Sequence, residues 1–198
     1  MEIYHFNIKV HLVSYILLLF SFFTTSAQSE FLQISAESDF SASDWNLYSY
    51  VLEEDEDYID KIYGVLRIKW PLRASWDEWR IENNNVIYDI KQKWGNNRDE
   101  WELRSETGQI VSIKTKWRND YTEWVIKSDQ HEIRWISEFE RDLSSWFFEH
   151  KTLGHMSMYT EFRGDPRDWV IEDFSEKISD EIKLAAIFIT TYLTNPKN

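Results

Sequence analysis

Val111-Ser112-Ile113-Lys114-Thr115-Lys116-Trp117-Arg118-Asn119-Asp120-Tyr121-Thr122-Glu123-Trp124-Val125-Ile126 is the stretch from which the rest of the chain can be read. Val111, Ile113, Thr115 and Trp117 lie two apart, and Trp124 and Ile126 repeat that spacing after a gap. Successive side chains of a strand point to opposite faces, so this alternation marks two half-buried strands. Asn119-Asp120 between them supplies turn chemistry. The segment is a β-hairpin with one apolar face and one charged face.

The same unit recurs in both directions. Trp79, Trp101, Trp124, Trp146 and Trp169 are separated by 22, 23, 22 and 23 residues. Seven residues before each stands another bulky group: Leu72, Trp94, Trp117, Phe139 and Phe162. Two residues after each comes Ile81, Leu103, Ile126, Phe148 or Ile171. The upstream strands alternate as Leu66-Ile68-Trp70-Leu72, Tyr88-Ile90-Gln92-Trp94, Ile133-Trp135-Ser137-Phe139 and Met156-Met158-Thr160-Phe162, taking every second residue. A degenerate sixth copy precedes them, with Leu32, Ile34 and Ala36 followed by Trp45-Asn46-Leu47, and terminal repeats are often atypical. The longer interval after it holds the acidic run Glu53-Glu54-Asp55-Glu56-Asp57.

Short connections favour antiparallel neighbours, so the fold expected is mainly β, an antiparallel meander of about 10–12 strands. Laid flat, such a sheet would be roughly 50–57 Å wide at about 4.8 Å per strand, with one face wholly apolar. The only other element is C-terminal. Asp173 and Glu176 have capping-box spacing, and Ile178, Ile182, Ala185, Ile189 and Tyr192 follow at helical steps, giving a helix over about 175–193. A helix about 10–12 Å across cannot cover a flat sheet of that width, so the sheet must curl strongly, barrel-like, around or against it. The rival is a final strand over 187–193, where β-branched residues are dense.

Residues 12–23 form an apolar run, followed by Thr25-Ser26-Ala27. These are the marks of a signal peptide cleaved near Ala27, leaving residues 28–198 as one exported domain, periplasmic or extracellular; the alternative is a retained N-terminal anchor. No other apolar run would span a membrane. The chain lacks cysteine, so disulfides and thiolate metal sites are excluded. A net charge of −13 repels phosphate backbones and argues against nucleic acid as a partner. The polar outer face, with Lys69, Lys91, Lys114, Arg80 and Glu102, is the reverse of an outer-membrane barrel.

With 11 Trp, 10 Tyr and 12 Phe, the chain needs either a large core or an aromatic binding face, and the alternation places the tryptophans in the core. Gln92, Thr115, Ser137 and Thr160 occupy one polar position on that apolar face and are the candidate ligand-binding residues; the simpler role is bonding to local partners. Glu78, Glu100, Glu123, Asp168, Asp120, Asp142 and Asp165 suggest repeated calcium sites, but interleaved arginines and the turn positions favour turn chemistry. His131, His150 and His155 lack metal-site spacing. No catalytic residue, metal or cofactor is expected. The function expected is a non-catalytic structural or protein-interaction role; the alternative is a carrier or binding module for a small hydrophobic or glycan ligand.

Overall fold

The computed structural model describes residues 31–38, 41–52, 58–73, 76–95 and 97–194. The expected signal peptide, residues 1–27, and the acidic run 53–57 lie outside these. Twelve strands follow one another: β1 (Gln33–Ser38), β2 (Ser41–Leu52), β3 (Tyr58–Ile68), β4 (Glu78–Asn83), β5 (Val86–Gln92), β6 (Glu100–Ser105), β7 (Ile110–Trp117), β8 (Asp120–Lys127), β9 (Glu132–Phe139), β10 (Asp142–His150), β11 (Gly154–Thr160) and β12 (Asp168–Asp173). Each pairs antiparallel with the next, and β1 pairs with β12 to close the barrel. A single helix, α1 (Asp180–Leu193), ends the described chain.

The barrel has an approximate sixfold repeat. Trp79 lies opposite Ile90, and Ile90 opposite Leu103, which is two residues beyond the next repeat tryptophan, Trp101. The same two-residue stagger recurs from Trp101 through Ile113 to Ile126, and from Trp124 through Trp135 to Phe148. It also carries Trp146 to Ile171, Trp169 to Leu47, and Trp45 to Ile81. The degenerate first unit is therefore a full member of the ring, and equivalent positions of the six hairpins stand at one level. Stagger equals strand number, the same ratio as in eight-stranded α/β barrels, whose strands tilt by about 36°. Twelve strands at that tilt enclose a cylinder roughly 23 Å across between backbones.

That bore accommodates one helix and the side chains around it, and α1 lies within it. Phe188 meets Trp79 on β4 at 5.9 Å, while α1 also packs on β10, six strands away on the opposite wall. Every residue from Ile182 to Tyr192 is buried. Trp101 packs edge-on against Phe188 (5.1 Å) and Tyr192 (4.8 Å), and burial raises the pKa of the Tyr192 hydroxyl. Residues 187–193 are thus helical, which excludes the final strand. α1 begins at Asp180 rather than near residue 175. Asp173 is not its cap: the Asp173 carboxylate accepts from the backbone N–H (2.9 Å) and hydroxyl of Ser175, and pairs with buried Lys183 Nζ at 2.7 Å. The ion pair pins the first turn of α1 to the end of β12. Ser179 takes the N-cap position without a side-chain bond, and Asp180 and Glu181 supply the negative charge that a helix start favours.

A large indole in the core must also place its N–H. Six do so in one way. The Nε1 of Trp45, Trp79, Trp101, Trp124, Trp146 and Trp169 donates to the carbonyl three residues upstream, at 2.9–3.2 Å. Trp135, on the long strand, is the exception: its Nε1 donates to Thr190 Oγ1 of α1 at 3.0 Å.

The outer face is polar. Asp89 on β5 accepts from Lys69 and from Arg80 on β4, both at 2.9 Å. Burial pushes the Asp89 carboxyl up, but these two bonds outweigh it and hold the carboxyl below its ordinary range. Asn84 and Asn85, both at positive φ, make the tight β4–β5 turn that matches strand twist. Gly154, at φ +90°, lies so close to Phe174 that an added Cβ would stand 2.0 Å from its carbonyl oxygen.

Two substitutions test this packing by denaturant unfolding. Thr190→Val leaves the Trp135 N–H without an acceptor and should cost about 1–3 kcal/mol, whereas Thr190→Ser should be nearly neutral. Gly154→Ala combines a left-handed backbone with a backbone clash and should cost about 3 kcal/mol or more.

Candidate functional site

All within-unit connections of an up-and-down barrel fall at one end. Here that end carries the first aromatic of each unit. Trp94 and Trp117 are 58% and 64% exposed, and Trp70, Phe139 and Phe162 are exposed as well. This corrects the expectation that both aromatic positions are core. Alternation turns the position inward, but it lies where the barrel wall ends, so nothing stands across from it.

The bonds here also correct the alignment. Lys69 N–H donates to Glu78 O, Lys93 N–H to Glu100 O and Glu161 N–H to Asp168 O, at 2.9–3.0 Å. These equivalent pairs align Trp70, not Leu72, with Trp94 and Phe162. The β3–β4 connection is two residues longer than the β5–β6 one, so counting seven residues back from Trp79 lands on Leu72, which is exposed in the loop.

The tryptophans of this rim are held in place. Trp70 Nε1 donates to Glu78 (3.0 Å) and Trp94 Nε1 to Glu100 (3.2 Å). Both carboxylates stand on the outer face, so the rings turn out of the barrel mouth. Lys69, Lys93 and Lys116 each place Nζ 5.8–5.9 Å from the centre of the neighbouring indole, and Arg73 stands 4.7 Å from that of Trp70. Lys116 also pairs with Glu123 at 3.1 Å. The fifth and sixth units have Glu138-Phe139 and Glu161-Phe162 instead. The rim therefore divides into a tryptophan arc and a phenylalanine arc.

The turn carboxylates have structural work. Asp120 Oδ1 accepts from Thr122 N–H, Asp142 Oδ1 from Ser144 N–H, Asp165 Oδ1 from Arg167 N–H and Asn97 Oδ1 from Asp99 N–H, at 2.9–3.1 Å. Each is an Asx turn, four residues before a buried tryptophan, and the turn presents the carbonyl that the indole needs. Turn chemistry at Asp120, Asp142 and Asp165 was legible in the sequence; their constant spacing, shared with Asn97, of four residues before each Trp was the signal missed there. Glu78, Glu100 and Glu123 serve the rim lysines and indoles. Among the described residues no three His, Asp or Glu side chains are grouped to hold a metal ion.

Gln92, Thr115, Ser137 and Thr160 form a level ring just inside the rim, directly across the ladder from Trp101, Trp124, Trp146 and Trp169. They stand on alternate strands and do not converge on one pocket. Ser137 Oγ donates to Phe139 O at 2.8 Å. Thr115 lines a groove of about 330 Å³ between the β5–β6 and β7–β8 tips, with Asn97, Asp99, Glu100, Lys114 and Arg118. A second groove, about 380 Å³, crosses the outer face of β9 and β10 beside Phe147. Of the histidines, His131 lies in the β8–β9 turn, His150 bonds Thr152, and the His155 ring stacks on Phe174 at 4.7 Å. Among the described residues no helix is long and apolar enough to cross a membrane. No family model, curated protein or solved structure matches the chain.

The Asx aspartates give a pH test. Hydrogen bonds from the Thr122 hydroxyl and amide hold the Asp120 carboxyl below its ordinary value; Ser144 does the same for Asp142, and the Arg167 side chain for Asp165. A depressed folded pKa stabilises above the unfolded value, and that contribution is lost as pH falls through the folded one. Unfolding free energy should therefore decline below about pH 4. Asp120→Asn keeps the acceptor oxygen and should keep the turn while removing its share of the acid slope. An unchanged slope in urea melts would contradict the assignment.

Proposed function

We propose that this is a non-catalytic exported binding protein that works through the outside of its barrel, chiefly through the aromatic rim. The observation that supports this most is the occupied interior. With residues 182–192 buried in the bore, the barrel has its own helix where a carrier would hold cargo. What the barrel offers to a partner is then its surface, and the rim is where large aromatic side chains collect in the open. Export rests on the apolar run and small residues of 12–27.

Native mass spectrometry of protein from its own host checks both parts. The expected spectrum is a single mass for a chain beginning at Gln28, without reproducible added mass. A stable adduct would restore the carrier alternative, and a chain retaining residues 1–27 would remove the export reading.

A further inference from the structure

We propose that the groove between Trp94 and Trp117 binds a neutral oligosaccharide, the two indoles stacking on sugar rings while the groove bonds the hydroxyls. This rests on the rim being the working surface. The groove is lined by Glu100, whose carboxylate holds the Trp94 indole, and by Arg118, the chain neighbour of Trp117. Equivalent positions on adjacent hairpins are two strands apart, roughly 10 Å, which suits a short chain of sugars better than one ring.

The hydrogen-bonding groups suit a polyol. Asn97 uses its Oδ1 on Asp99 N–H, which leaves its amide N–H groups to donate. Lys114 and Arg118 line the groove without an ion pair among the described residues, and the Thr115 hydroxyl makes no hydrogen bond among them. Asp99 Oδ1 already accepts from Asn119 N–H at 3.1 Å and Glu100 Oε2 from Trp94 Nε1, which leaves Asp99 Oδ2 and Glu100 Oε1 as acceptors for a ligand. Two carboxylates and two cations cancel, so the groove favours a neutral ligand carrying donors and acceptors on the same group, as a sugar hydroxyl does. A pyranose also has an apolar C–H face to lay on an indole.

The tryptophans are prepared for this. Lys93 and Lys116 stand over Trp94 and Trp117, and the Trp94 N–H is already used, so the open ring face remains for contact. A ring already held loses little freedom on binding. A lipid surface fits less well. The turn residues beyond the tryptophans, Asn97-Arg98-Asp99 and Arg118-Asn119-Asp120, are polar and charged and would reach a bilayer first.

Calorimetric titration with hexasaccharides of β-linked glucose, mannose and N-acetylglucosamine tests the site. At least one should bind saturably, and Trp94→Ala and Trp117→Ala should each weaken it by roughly tenfold or more. Phe162→Ala, on the other arc, should not. Circular dichroism should show all three variants folded, since these side chains lie outside the core. Absence of binding at millimolar sugar, or equal binding by the tryptophan variants, would overturn the proposal. Sedimentation with phosphatidylcholine vesicles, lost in those variants without sugar binding, would overturn it in favour of a membrane. Cargo in the native mass spectrum would remove the underlying carrier-free reading; clean mass without sugar binding removes only the oligosaccharide.

Discussion

A twelve-stranded barrel encloses a bore too wide for strand side chains to fill, and the rest of the structure follows from closing that space. At roughly 23 Å between backbones, opposing side chains would leave a channel along the axis. α1 occupies it, apolar on nearly every side because barrel wall surrounds it. The aromatic composition has the same cause. Six large indoles at one level take up the volume between wall and helix that smaller residues would leave empty.

Using tryptophan for this purpose creates a polar obligation in the core, and the repeat meets it locally. In four units an Asx turn shapes the connection, and in all six the indole donates to the carbonyl three residues upstream. Each unit therefore satisfies its own tryptophan without help from its neighbours, so the unit can be repeated around a ring. Trp135 and Lys183 depart from this economy. Their partners, Thr190 and Asp173, join helix to wall and fix how α1 is seated. Those two polar contacts specify the one position of an otherwise featureless apolar cylinder.

The rim arises from the same alternation, one step beyond the point where it can be honoured. An aromatic on the inward parity has no opposite wall once the barrel ends. Its ring turns outward onto the lysine and glutamate that flank it. The exposed aromatic surface and the filled core are thus two outcomes of one periodic sequence, separated only by height along the barrel axis.

The hairpin unit, the strand faces, the degenerate first copy and the need for curvature were legible in the sequence, because they depend on spacing within about twenty residues. Ile81, Leu103 and Ile126 are buried as the alternation requires. Asp173 was misread because capping-box spacing is shared by chance, while its true partner, Lys183, is supplied by the docked helix. Leu72 was misaligned because a two-residue insertion is invisible to counting. Gln92, Thr115, Ser137 and Thr160 were recognised as one register position, but their ring and its neighbouring groove depend on closure. By itself the sequence determined which residues alternate. Only the tertiary structure decided which of the inward residues have something to face, because burial is a property of the opposite wall, and the opposite wall is contributed by strands far away in the chain.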